Sequence, residues 1–446
     1  MVTVRPSLQT PEERIVHWAL VGTWGLWLIG GLYHVYPILG WCLALLAVGR
    51  RIGVFDDLGH PPKHLPWGVH AWGVGMFGMA VALIAGHLNF ELGLGTALKS
   101  LFGWAKGWGL IAVFIFAGAE LHIKPEVVYR ASNILALQTL CLTPVFFICG
   151  VLGTPGIWYV SPLTYLGGPG PMFFEVGSHL WDASSLGFRL RYFAPWSPAA
   201  AFAAHIALVC AMGDKDLRWR TIGVVSAITV CALSQSRLSL IAVPIIMTGI
   251  PILSNIFTPW PAAALAIMTT SALLYLSQVK DLIDDLVQAF IGARADSSRV
   301  RAALARMAYH RWETEAPIFG HGAIERGSHL VEFMPIGSHH TWHGLLFVKG
   351  AVGFLSLALP LAWTFFEMLA KAQRDRHARA GLGIVLVLLF NSFGENLEIL
   401  SYLAWPGLLI VGIVMKHKLA IPPLWAEFFR KIFAIKDADR VGGVRL

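Results

Sequence analysis

The chain has 446 residues, of which 56% are hydrophobic and only 13% charged, with a formal net charge of +8 and a mean hydropathy of +0.63. A soluble globular domain carries about a quarter charged residues, so that class is excluded and the apolar runs define a polytopic integral membrane protein. The basic residues sit in short clusters between those runs, which is the pattern of the positive-inside rule and not the single patch that nucleic-acid binding needs.

The five cysteines (Cys42, Cys141, Cys149, Cys210, Cys231) lie in or beside apolar runs with no zinc-like spacing, so neither a disulfide framework nor a metal site is expected. The first apolar run, from about Val16, is too long for a signal-peptide core and continues into a second, which argues against a cleaved leader. Length and flanking charge predict an all-α chain of about twelve transmembrane helices. The first hairpin, 16–33 and 36–49, ends in Arg50 and Arg51, and the loop to Gly68 with Lys63 is assigned to the cytoplasm. Spans at 69–90 and 106–122 follow, joined by a partly apolar segment suited to the interface. Lys124 and Arg130 mark a second cytoplasmic turn. A fifth span at 133–153 leads into an outer Gly/Pro/aromatic loop, 154–197, and a sixth at 198–213 returns to the charged stretch Asp214–Arg220.

The seventh span ends at Ser234, the eighth runs from Leu238 to Leu253 and the ninth from Pro261 to Leu276. Residues 279–342 form the largest polar segment, an outer loop with a helix predicted over Ser298–Arg311. The tenth span runs to about Leu369 and ends before the basic loop Lys371–Arg379; spans at 382–402 and 404–415 and a basic cytoplasmic tail, 416–446, complete one transmembrane domain. Both termini are thereby placed in the cytoplasm.

The parity puts Arg189, Arg191, Arg237, Arg299 and His339 on the outer side, where arginine should be scarce. Arg237, between two apolar runs, reads either as a snorkelling helix-end cation or as a diphosphate clamp, since guanidinium offers a planar fork to phosphate oxygens. Arg189 and Arg191 alternate as in an extended segment that would present both side chains to one face, against the alternative of a solvated loop. Among Arg294, Arg299, Arg301, Arg306 and Arg311 most positions read as a solvated helix face. His339, His340 and His343 stand where a polar loop turns into the tenth span; they read equally as interface residues or, from the i, i+4 spacing of His339 and His343, as metal ligands, although no Glu follows His339 in the zinc-protease pattern. Asn391, Glu395, Asn396 and Glu398 are costly at membrane depth unless they line a polar cavity or cap a helix at the interface. Lys349 either snorkels, pairs with one of these glutamates or meets an anion.

His339-His340, nine residues, Gly350, two residues and Gly353 resemble the His-Asn/Ser-x9-Gly-x-x-Gly signature of the O-antigen ligases and the wider O-antigen ligase/polymerase superfamily, with His340 where Asn or Ser is usual. Ser236-Arg237 resembles the Ser-Arg that opens a helix after an outer turn, and Ser298-Arg299, a helix and Pro317-x-x-Gly320-x-Gly322 resemble the family's outer-loop pattern. The stretch from Arg189 to Ala201 is similar to the segment entering the sixth helix, with Ser197-Pro198 in place of Pro-Asn. The matches cover about 185–400. The resemblance implies a GT-C-like membrane glycosyltransferase of the bacterial inner membrane. It would move a preassembled glycan from undecaprenyl diphosphate to lipid A-core oligosaccharide on the periplasmic face, with membrane lipids around it and no cofactor. It implies His339 as general base, Arg191, Arg237, Arg299 and Arg189 on the diphosphate, and a metal-independent inverting displacement; His340, His343, Lys349 and Glu395 are secondary candidates. Alternatives are a polymerase, which would carry two comparable outer loops, a protein O-glycosyltransferase, which would carry a sizeable C-terminal soluble region, and a lipid-linked glycan transporter, for which no internal repeat is seen.

Overall fold

The computed structural model describes residues 8–54, 64–182, 187–278, 280–281, 284–285, 288, 295–337 and 340–417. Helices α1 (Pro11–Val21), α2 (Thr23–Leu28), α3 (Leu32–Arg51), α4 (Trp67–Asn89), α5 (Leu94–Lys106), α6 (Trp108–Glu120) and α7 (Pro125–Val151) precede the first outer segment. After it come α8 (Ser197–Gly213), α9 (Leu217–Leu233), α10 (Arg237–Leu253) and α11 (Pro259–Leu274), then α12 (Ala295–Glu315), α13 (Thr341–Ala372), α14 (Arg376–Ser392) and α15 (Leu397–Lys416). The chain is mostly helical. Three short antiparallel pairs depart from an all-α reading: β1 (Ile157–Val160) with β2 (Glu175–Gly177), β3 (His179–Asp182) with β4 (Gly187–Leu190), and β5 (Glu325–Arg326) with β6 (Pro335–Ile336). All lie in the polar segments, where the backbone can pair only with itself once it leaves a helix.

Among the described residues, six helical stretches are long and apolar enough to cross a membrane: Leu32–Arg51, Trp67–Asn89, Leu94–Glu120, Pro125–Val151, Thr341–Ala372 and Leu397–Lys416. α8 and α10 are apolar but shorter. The final hairpin differs from the sequence reading: the break falls at 393–396, not at 403, so Glu398 opens α15 instead of closing the preceding span. Asn396 accepts from the Glu398 N–H at 2.9 Å and starts the new helix. The polar cluster Asn391, Glu395, Asn396 and Glu398 marks this break, and the capping alternative for it is the one the structure realises.

α15 is the central helix, buried along nearly its whole length against α6, α14, α8 and α3. Its approach to α6 rests on glycines: a Cβ at Gly412 would collide with the Ile115 carbonyl, and one at Gly118 with that of Leu409. Small residues let helix backbones close in where lipid supplies no hydrophobic drive. α13 packs on α4 in the same way, Gly75 lying against the Ser356 carbonyl. At one end of the bundle Glu12 pairs with Arg50, Glu120 with Arg51 at 2.9 Å, and Asp214 with Arg130 at 2.9 Å. The other end carries the polar segments and the first turn of α13.

Candidate active site

α13 is interrupted. Gly350 has φ 62° and ψ −163°, so the N–H groups of Ala351 and Val352 cannot reach the carbonyls of Phe347 and Val348 four residues back. Those four backbone groups are satisfied by the segment that follows α12. The Pro317 and Ile318 carbonyls accept from the Ala351 and Val352 N–H groups at 2.9 and 3.1 Å, and the His321 and Gly322 N–H groups donate to the Phe347 and Val348 carbonyls at 2.9 Å each. A loop is thus spliced into the helix ladder with no backbone group of the break left unpaired. The two chains touch so closely that a Cβ at Gly320 would strike the Lys349 and Gly350 nitrogens, and one at Gly350 the Ile318 carbonyl. Gly350 thus breaks the helix inside the stretch that the sequence reads as one continuous tenth span. Gly86 of α4 closes on the splice, within 2.7 Å of the Gly322 nitrogen were it to bear a Cβ.

The splice is locked from the loop side. His321 is buried, stacks on Phe347, reaches the Phe347 carbonyl through Nδ1 at 3.0 Å and Glu315 through Nε2 at 2.8 Å. Arg311 binds the same Glu315 and Glu325 while lying over the Phe347 ring. The Arg311 hydrogen bond, then His321, holds the Glu315 carboxyl down at about 2.

Before the break, His340 caps α13: its Nδ1 accepts from the Trp342 and His343 N–H groups at 3.2 and 3.4 Å. Burial, with His343 and Arg301 nearby, pushes the His340 imidazole down to about 4. The next two residues staple this turn to the 393–396 turn. The Thr341 hydroxyl donates to the Glu395 carbonyl at 2.7 Å and accepts from the Leu397 N–H at 3.0 Å, and the Trp342 indole donates to Ser392 Oγ at 2.9 Å. The Glu395 carboxylate is buried, accepts from the Trp196 indole at 3.1 Å, and is pushed up to about 7 by burial, against the pull of Arg301, Trp196 and Arg189.

Cations converge on the same turn. Arg189 donates to the Ser234 and Gln235 carbonyls at 3.1 and 3.4 Å, which sets it against the turn from which Arg237 opens α10. Leu238, next to Arg237, packs on Gly394, and Arg301 reaches the Gly394 carbonyl at 3.4 Å. Arg299 sits two residues earlier, exposed on α12. Arg191 goes elsewhere: strand β4 ends at Leu190, so the two-residue alternation does not extend to it, and it turns inward, fully buried, onto Glu175 at 2.8 Å. Burial lowers its pKa and Glu175 opposes the shift; its Nε and Nη2 have no protein partner among the described residues. Lys349 is buried and pairs with Glu398 at 3.1 Å, about 13 Å along the helix from His340. His339 and Arg294 lie outside the described residues.

Three residues of this site were not singled out by the sequence: Arg301, Trp196 and Thr341. Arg301 had a readable signal, since Val300, Leu304 and Ala308 form the buried stripe of α12 and Arg301 borders it. Trp196 and Thr341 had none. Among the described residues no group of three His, Cys, Asp or Glu side chains converges as a metal site requires.

The arrangement is that of a helical membrane protein in which arginines from separate segments gather near the imidazoles at the start of one interrupted helix. The O-antigen ligase family model matches residues 222–358, from α9 through the break in α13. The match takes in Arg237, Arg299, Arg301, the splice and the histidines, and leaves out Arg189, Arg191 and Glu395. No curated protein matches the chain significantly.

Proposed function

We propose that this protein is an O-antigen ligase of the bacterial inner membrane, with about twelve crossings, both termini in the cytoplasm and the His340 end facing the periplasm. Its donor is a glycan on undecaprenyl diphosphate and its acceptor the lipid A-core oligosaccharide. The observation that carries this reading is the meeting of Arg189, the Arg237 turn and Arg301 at the Gly394 turn, which Thr341 and Trp342 staple to the residues following His339. Guanidinium groups from separate segments suit a diphosphate, which needs several fixed cations as it departs. In the proposed reaction the acceptor hydroxyl oxygen attacks the anomeric carbon. The bond from that carbon to the diphosphate oxygen breaks with its electron pair going to the diphosphate, and the hydroxyl proton passes to His339. The configuration inverts. Arg299 extends the cationic surface for the diphosphate, while Arg191, buried on Glu175, is left to a structural role.

His340 is committed to its cap through Nδ1, which supports the residue before it as the base. Reconstituted with lipid-linked O-antigen and lipid A-core, the His339→Ala protein is expected to lose transfer by at least 100-fold, and His343→Ala to lose far less. The reverse order would move the base, and elongated lipid-linked polymer in place of glycosylated core would make the protein a polymerase. Wild-type transfer is expected to survive EDTA; loss restored by a divalent ion would overturn the metal-free scheme.

A further inference from the structure

The opposite end of the bundle holds a basic cavity. It measures about 310 Å³, at the lower end of the roughly 300–1,000 Å³ of ligand pockets. It lies about 24 Å from Ser392, the length of α14, and therefore far from the Gly394 turn. Arg220 of α9 and Arg376 and Arg379 of α14 line it, with Val209, Ile250 and Pro251 as apolar wall. Each guanidinium is held by a backbone carbonyl: Arg220 by Asp214 at 2.8 Å, Arg376 by Gly213 at 2.8 Å, and Arg379 by Ala372 at 3.2 Å. Among the described residues none of the three is ion-paired. The nearby carboxylates are engaged: Asp214 is bound by Arg130 and Asn133, and Asp375 accepts from the His377 N–H. Carbonyl anchoring fixes the three cations in place without neutralising them, and each retains donors for a further acceptor.

We propose that this cavity binds the phosphate of an anionic phospholipid, with the glycerol and upper acyl chain against the apolar wall. A phosphate matches guanidinium forks, and basic pockets between helices at a membrane surface suit lipid headgroups. The apolar wall is what separates a lipid phosphate from a free one, since inorganic phosphate has no use for Val209, Ile250 and Pro251. The bound lipid bridges α8, α9, α10 and α14, the helices that frame the far side of the candidate active site.

The test is lipid binding by the delipidated full-length protein in neutral detergent, read by native mass spectrometry and by the shift in Tm. The probes are dioleoylphosphatidylglycerol, dioleoylphosphatidylcholine and inorganic phosphate. Phosphatidylglycerol is expected to bind and raise Tm while the other two do not. The R376Q/R379Q protein is expected to bind it about 30-fold more weakly, and R218Q/R374Q, with the same charge removed outside the cavity, within threefold of wild type. Should the double variant fail to fold, Arg220→Gln carries the same test with about fivefold weakening. Equal binding of inorganic phosphate, unchanged affinity in the cavity variants, or equal loss in R218Q/R374Q would each overturn the proposal.

Discussion

At the end of the bundle that carries Arg50, Arg130 and Lys371, cations face carboxylates: Arg50 meets Glu12, Arg51 meets Glu120, Arg130 meets Asp214, and Lys371 meets Glu367 at 2.6 Å. At the end that carries His340, Arg189 and Arg301 donate to backbone carbonyls, and the nearby carboxyl of Glu395 is held by an indole. Paired charges join helices and have little left to offer a ligand. Arg301, resting on the Gly394 carbonyl, keeps its charge and further donors and can receive an anion, whereas Arg191 and Arg311 at the same end are paired with Glu175 and with Glu315 and Glu325. The three arginines of the basic cavity share the state of Arg301 although they lie among the paired ones, which is why that cavity stands out.

The largest expected effect lies at the paired end. Asp214 accepts from Arg130 and Asn133, and Asp214→Ala would remove both short hydrogen bonds of the buried Arg130 and leave it only Asp216 at 3.7 Å, a loss of about 3 kcal/mol. Thermal unfolding should show it, while transfer per folded molecule stays near wild type; a fall in transfer with unchanged Tm would erase the contrast between the ends. Next is Gly350→Ala at the site end. Its backbone conformation is one that only glycine adopts readily, costing about 1–3 kcal/mol before the collision with Ile318 is counted. Here Tm and transfer are expected to fall together, because the splice also sets the first turn of α13. A variant as stable and active as wild type would mean that the break is not needed.

The subtlest test uses pH. Glu395 is raised to about 7 from an ordinary value of 4.5, so the folded protein holds this proton more tightly than the unfolded chain. Its contribution is complete below about pH 4.5 and is lost as pH rises through about 7, on the order of 3 kcal/mol. Glu395→Gln keeps the acceptor for Trp196 and removes the ionisation, so the slope of stability against pH in that window should flatten. An unchanged slope would show that the carboxyl ionises freely and that this end is as well compensated as the other.

Much of the helical frame was legible because a bilayer-spanning segment must be long, apolar and bounded by polar residues, all of which are local properties. Ser197–Gly213, Arg237–Leu253 and the helix over 298–311 appear within a few residues of expectation. The start of α15 did not, although the polar stretch from Asn391 to Glu398 marked it, because the apolar residues on either side are together long enough to read as one span. At the site, the motif glycines were visible but not their use. Gly320, Gly322 and Gly350 meet across about thirty residues of sequence, and only the spatial pairing of 317–322 with 347–352 explains why none can carry a Cβ.

What the sequence by itself determined is the membrane class, the order of most helices and the clustering of basic residues, because composition and periodicity are properties of short windows. Only the tertiary structure decided which charges are spent. Arg189 and Arg191 are two residues apart and chemically identical, yet one donates to the Ser234 and Gln235 carbonyls and the other is buried on Glu175. Arg301 and Arg299 are two residues, about 200°, apart around a helix, and of the two it is Arg301 that is seen to reach the Gly394 carbonyl among the described residues. Whether a guanidinium meets a carboxylate or a carbonyl depends on residues tens to hundreds of positions away, and that choice separates a strut from a binding group.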